Sequence, residues 1–141
     1  MLEQVDKCLK SLTLAVIDDF SLTGIKSEGI GILIDVVDDG TSTGEMGFTY
    51  SNSEITWGLE SIESFQATIE LWKNMGKTWD SIFIIINLKT METESFFFTK
   101  KQTKPWRKKR NDYIGAKNKF MELYKQISQL SEISEIKNTK N

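Results

Sequence analysis

The chain contains no histidine, one cysteine and one proline. Without histidine it lacks the side chain most often used as a general base near neutral pH and most often found on transition metals. With Cys8 alone, neither a structural zinc site nor a Cys–His or Ser–His nucleophile can be assembled, and no disulfide can close within the chain. A lone thiol fits a reducing setting, so a cytoplasmic protein is expected. Long apolar runs are missing too. The longest, Ile82–Ile86, falls far short of the ~20 residues that span a bilayer. The opening MLEQVDKCLKSL has no basic stretch leading into an apolar one, so it does not read as a secretory signal. Carboxylates with Mg²⁺ are the enzymatic route that remains. The expectation is no enzyme, no cofactor and no resident metal.

What is present is an uneven distribution of charge. Residues 1–99 carry 16 acidic and 6 basic side chains, whereas residues 100–141 carry 4 acidic and 12 basic. An acidic body is therefore followed by a basic tail, and the two should attract over the ~8 Å that physiological salt permits.

With 141 residues, the chain can bury one sizeable core. Leu2, Val5, Leu9, Leu12, Val16 and Phe20 recur at steps of three and four, which predicts an amphipathic helix over 2–20. GIGILIDVV (29–37) alternates, with Ile30, Ile32, Ile34 and Val36 on one face and Leu33, Asp35 and Val37 on the other. DDGTSTG and then Glu45–Tyr50 complete a hairpin with an acidic tip, with Met46, Phe48 and Tyr50 on one face of its second strand. Ile55 and Trp57 suggest a further short strand. Ile62, Phe65, Ile69 and Trp72 predict a second helix over 61–75, capped by Ser61 and ended by Gly76. In TWDSIFIIINLKT, Ile82, Ile84, Ile86 and Leu88 face one way and Phe83 and Ile85 the other, as in a central strand. FFFTK pairs back on it. Tyr113, Ala116, Phe120, Leu123, Ile127 and Leu130 mark a third helix. Strands arranged in hairpins predict a single α+β domain over 1–135: a mostly antiparallel sheet, with helices at the N-terminus, middle and C-terminus packed on one face of it. Residues 136–141 read as a frayed tail.

Three groups carry candidate chemistry. TKKQTKPWRKKR (99–110) holds seven Lys or Arg residues in twelve, with no acid. Lys100, Lys101, Lys104, Arg107, Lys108, Lys109 and Arg110 suit phosphates, and Trp106 could stack on a base, so a nucleic-acid-binding module is one reading. A solvated connector with Trp106 packed on the body is another, and docking on an acidic protein a third. The second group is acidic: Asp35, Asp38, Asp39 and Glu45 at the hairpin, with Asp18 and Asp19 ending the first helix. DVVDDGTSTGEM lacks the ligand order of an EF-hand. The carboxylates serve solubility and the turn, or else form a patch that speeds encounter with a cationic protein and covers its phosphate-binding cleft. Trp57, beside Gly58, would anchor such a patch if exposed, or pack at the core edge if not. The third group would be a Mg²⁺ nuclease site from Asp80, Asn87, Lys89 and Glu60. There Asn87 stands where a carboxylate is needed, and a turn residue and a strand-end charge explain Asp80 and Lys89 as well.

SFQATIELWKNMGKTWDSIFIIINLKTMETESFFF resembles the corresponding part of YezG-like immunity proteins. These are small bacterial cytoplasmic antitoxins that neutralise nuclease toxins delivered by specialised secretion or contact-dependent systems. The shared pattern is an apolar helix, a polar gap, Trp79-Asp80-Ser81, the strand Ile82–Leu88, a turn and Phe96-Phe97-Phe98. The N-terminal helix and hairpin, Val5–Phe20 and Gly29–Tyr50, follow the family's order, and RNDYIGAKNKF is similar to its C-terminal aromatic-basic stretch. After Phe98 the chain carries Thr-Lys-Lys, where the family tends to carry an acidic aromatic run. The resemblance implies an immunity protein that inhibits a bacterial toxin, a nuclease, by covering its active site, and it carries no catalytic residue.

Overall fold

The computed structural model describes residues 2–51 and 54–139, the side chains of Leu2 and of 128–139 excepted. In chain order the elements are α1 (Leu2–Ser21), β1 (Gly29–Val37), β2 (Ser42–Thr49), β3 (Thr56–Trp57), α2 (Ile62–Asn74), β4 (Ser81–Asn87), β5 (Thr93–Phe98), α3 (Lys100–Thr103) and α4 (Tyr113–Thr139). The strands form one sheet in the order β3-β2-β1-β4-β5, antiparallel at every junction. This is the expected α+β architecture, and β1 and β4 occupy its interior.

The alternation read from β1 and β4 sets the layering. Ile30, Ile32, Ile34, Ile82, Ile84 and Ile86 face α1 and α2, together with Leu12, Val16, Phe20, Leu71 and Trp72. Leu33, Phe83 and Ile85, with Phe48 from β2, face the opposite way and are covered by Ala116, Phe120, Leu123 and Tyr124 of α4. Helices therefore cover both faces of the sheet, not the single face expected. Two interior strands that are apolar on both sides would otherwise leave one apolar face in water. Gly31 makes the α4 layer possible. It lies on that face of β1, and a β-carbon there would run into the ring of Phe120.

The second helix is rotated relative to the stripe read from its sequence. Ile69 and Trp72 of the expected stripe are buried, together with Ser64, Ala67, Thr68 and Leu71, whereas Ile62 is 64% exposed. Ser61 caps the helix, its hydroxyl accepting from the Ser64 amide. Asp19, itself buried at the end of α1, accepts hydrogen bonds from the Ser61 and Ser64 hydroxyls and from the Glu60 and Ser61 amides. A carboxylate from α1 thus fixes the start of α2, and this satisfied polar contact is why serine can face inward.

The β1–β2 turn carries Asp38, Asp39 and Gly40 at positive φ (50°, 54° and 88°). Gly40 lies against Trp72, where a side chain would collide with the indole. At the other end, α4 is helical through Thr139; the tail expected to fray beyond 135 lies largely outside the described side chains, and 140–141 outside the description altogether. Among the described residues, no helix is long and apolar enough to cross a membrane.

Candidate functional site

The basic segment is folded onto the sheet edge and held at several points. Thr99 forms a capping box with Gln102 at the start of α3. The carboxylate of Asp80, just before β4, accepts a hydrogen bond from the Lys100 amide at 2.8 Å. Arg107 then turns inward. Its guanidinium donates to both oxygens of Asp35, Nη1 to Oδ2 at 2.9 Å and Nη2 to Oδ1 at 2.8 Å, and the Ser81 hydroxyl donates to the same carboxylate. The geometry is the two-pronged match of a guanidinium to a carboxylate. The Arg107 and Asp35 side chains are only 7% and 10% exposed. Trp106 packs on Phe83 and edge-on to Phe98.

This arrangement corrects several expectations. Asp35 is not part of a surface patch, and Arg107 is not free for a phosphate, because each neutralises the other inside the protein. Trp106 is half-buried in an aromatic cluster, as the connector reading anticipated, rather than presented as a stacking platform. Trp57 is 7% exposed, edge-on to Phe20, with its indole N–H donating to the Phe48 carbonyl. It is a core residue, not an exposed anchor.

The remaining cations stay in water. Lys100, Lys101, Lys104, Lys108, Lys109 and Arg110 are exposed. All but Lys101 line a cavity of about 200 Å³ whose floor is Asp35, Ser81, Thr103 and Arg107, with Asp80 at the rim. Behind it, Asp112 accepts from the Lys108 and Gly115 amides. Those two backbone hydrogen bonds, and then the charges of Lys108 and Lys109, hold its carboxyl below the usual range.

Of the acidic candidates, Asp38 and Asp39 are exposed at the hairpin tip, and the Ser42 hydroxyl donates to Asp38 at 3.4 Å. Glu45 is half-buried on the α1–α2 side. Desolvation, and then the nearby charge of Asp19, raise its pKa above the ordinary 4.5. The nuclease constellation is not assembled. Asp80 and Asn87 stand at opposite ends of β4, the Asn87 side chain accepts from the Lys89 and Thr90 amides in a turn, and Lys89 pairs with Glu28 at 3.0 Å. Among the described residues, no group of three His, Cys, Asp or Glu is placed to hold a metal.

A second concavity lies between α1 and the start of α2. It has a volume of about 580 Å³ and is lined by Leu14, Ala15 and Leu22, with Asp18, Asp19 and Glu63 among its polar walls. Leu14 is 55% and Leu22 83% exposed, and Ile62, the neighbour of Glu63, is 64% exposed. The sequence reading passed over this surface. Leu14 and Leu22 lie off the apolar stripe of α1, which is the signal the sequence holds, while Ile62 falls on the apolar stripe of α2. Comparison with known protein families, with curated proteins and with solved structures gives no match.

Proposed function

We propose that this chain is a stoichiometric protein inhibitor, an immunity protein that binds a bacterial toxin, most specifically a nuclease, in the cytoplasm and covers its active site. The observation that carries the reading is the groove between α1 and α2, where Leu14, Leu22 and the adjacent Ile62 are exposed beside Asp18 and Glu63. Large apolar side chains left in water and bordered by charge mark protein-binding surfaces. The sign of that charge selects a cationic partner, and the cleft with which a nuclease holds phosphates is cationic by necessity. Apolar contact would supply the affinity and the carboxylates the rate of encounter. Asp38 and Asp39, exposed at the hairpin tip, add to that steering. The resemblance to YezG-like immunity proteins points to the same role.

The test is to recover the tagged chain from its own host at moderate salt after nuclease digestion, and to assay the accompanying polypeptide for nuclease activity. Added chain should abolish that activity at a one-to-one ratio. Leu22→Glu should remove the inhibition, and reversing Asp38 and Asp39 to Lys should slow association. Full inhibition by Leu22→Glu would exclude the groove as the interface. A retained polypeptide without toxic activity would overturn the inhibitor reading.

A further inference from the structure

The structure assigns a second binding site: the cavity between α3, the basic segment and the start of β4 takes a compact polyanion of the pyrophosphate class, whether free or as the phosphorylated end of a larger molecule. The proposal stands independently of the inhibitor reading, because it concerns a different surface with charge of the opposite sign.

Three observations carry it. The first is charge. Lys100, Lys104, Lys108, Lys109 and Arg110 all line one cavity of about 200 Å³. Among the described residues none of them is in an ion pair, whereas Lys89 and Lys119 each find a carboxylate. Arg107 and Asp35 cancel on the cavity floor. Asp80 at the rim and Asp112 behind Lys108 and Lys109 offset only part of the remaining positive charge.

The second observation is rigidity. The backbone that carries these lysines is tied down by the Thr99–Gln102 capping box, by Asp80 on the Lys100 amide, by Arg107 in its carboxylate fork and by Asp112 on the Lys108 amide. Like charges on a free tail would spread apart. Here the fold holds them together, so an incoming anion meets a preformed field and less ordering is needed on binding.

The third is shape. A cavity of this size is below the ~300–1,000 Å³ typical of sites that enclose a drug-sized ligand. It suits a concentrated anionic group, with the rest of any larger ligand left outside. An extended nucleic-acid strand asks for a groove along its backbone and aromatic platforms for its bases. The aromatic residue of this segment, Trp106, is instead packed on Phe83 and Phe98. Charge gathered at one point favours adjacent phosphoryl groups over phosphates spaced along a strand.

The experiment is calorimetric titration of the full chain with pyrophosphate at near-physiological salt. Single phosphate, ATP and two oligonucleotides of equal sequence, one with a 5′-triphosphate and one with a 5′-hydroxyl, are the comparison ligands. Saturable one-to-one binding is expected for pyrophosphate, weaker binding for single phosphate, and preference for the 5′-triphosphate oligonucleotide over its 5′-hydroxyl form. ATP binding as well as pyrophosphate would place free nucleotides among the ligands; a 5′-triphosphate oligonucleotide binding better still would favour nucleic-acid ends. Each exposed lysine neutralised should weaken binding about tenfold, the scale of a charged hydrogen bond. Lys104→Gln with Lys108→Gln should therefore weaken it on the order of a hundredfold, while circular dichroism and the unfolding midpoint stay unchanged. Absence of saturable binding, or equal binding by the double variant, would overturn the proposal. Equal binding of the two oligonucleotides would overturn it too, in favour of a surface that reads the strand rather than its end.

Discussion

Replacing Arg107 by Met tests the tie between the basic segment and the sheet. In the native protein the guanidinium donates two short hydrogen bonds to Asp35, at 2.8 and 2.9 Å, in a site where the two side chains are 7% and 10% exposed. Methionine keeps most of the volume but leaves the Asp35 carboxylate with only the Ser81 hydroxyl among these two partners. Breaking a buried pair by removing one member costs about 3–5 kcal/mol, because the other charge is left uncompensated. At roughly 3 °C per kcal/mol for a chain of this length, the midpoint should fall by about 10–15 °C. Urea unfolding followed by tryptophan fluorescence gives the free energy directly, and Trp106 sits next to the lost group. The control is Arg107→Met combined with Asp35→Leu. Removing both charges together should restore stability to within about 1 kcal/mol of the parent or above it, since two hydrophobic residues replace a pair that was costly to desolvate. A loss below about 1 kcal/mol in the single variant would put the pair in the range of exposed salt bridges and refute the reasoning.

Two further predictions concern the layers on either side of the sheet. Gly31→Ala places a β-carbon against the Phe120 ring and should cost about 1–3 kcal/mol as overpacking, with partial recovery on adding Phe120→Leu; an unchanged urea midpoint would mean that α4 does not sit tightly on β1. On the other face, the raised pKa of Glu45 means that the folded protein binds this proton more tightly than the unfolded chain does. Its carboxylate therefore works against folding at neutral pH, and the penalty is relieved as the pH falls through the folded pKa toward and below 4.5. Glu45→Gln should be more stable than the parent at pH 7, with the advantage vanishing in acid. Urea midpoints measured at pH 7 and pH 4 check this, and an equal difference at both pH values would refute it.

The strands were legible because their residues alternate and the sheet has two distinct sides. Ile30, Ile32 and Ile34 fell on one side of β1 and Leu33 on the other, as the period of two requires. The same pattern held the sign of a three-layer fold, since Phe83 and Ile85 needed cover as much as Ile82 and Ile84 did. It was missed because nothing in the periodicity of α4 states which face that helix will take. The rotation of α2 was hidden for a different reason. A hydrophobic stripe counts Ile62 as interior and Ser64 and Thr68 as exterior. The fold inverts this because Ser64 donates to Asp19 and Thr68 to the Ser64 carbonyl, so neither hydroxyl is buried without a partner. Asp19 lies in another element, beyond the reach of local pattern.

Charge was legible in its amounts but not in its placement. The acidic body and basic tail were expected to attract and fold together, yet among the described residues a single ion pair, Arg107 with Asp35, joins residues 100–141 to the rest. Beyond that pair and the hydrogen bond from the Lys100 amide to Asp80, the tail is fastened chiefly by rings: Phe120 stacks against Phe48 and Phe83, Tyr124 against Tyr50, and Trp106 meets Phe83 and Phe98. Aromatic burial holds α4 at any ionic strength, whereas exposed ion pairs would weaken with salt. Because the packing does not use the charges, most of them are left over. The cations gather around the cavity beside α3, while Asp18 and Glu63 remain beside the apolar groove of α1 and α2. One chain thereby keeps two surfaces of opposite sign, and each is free to meet a different partner without loosening the fold.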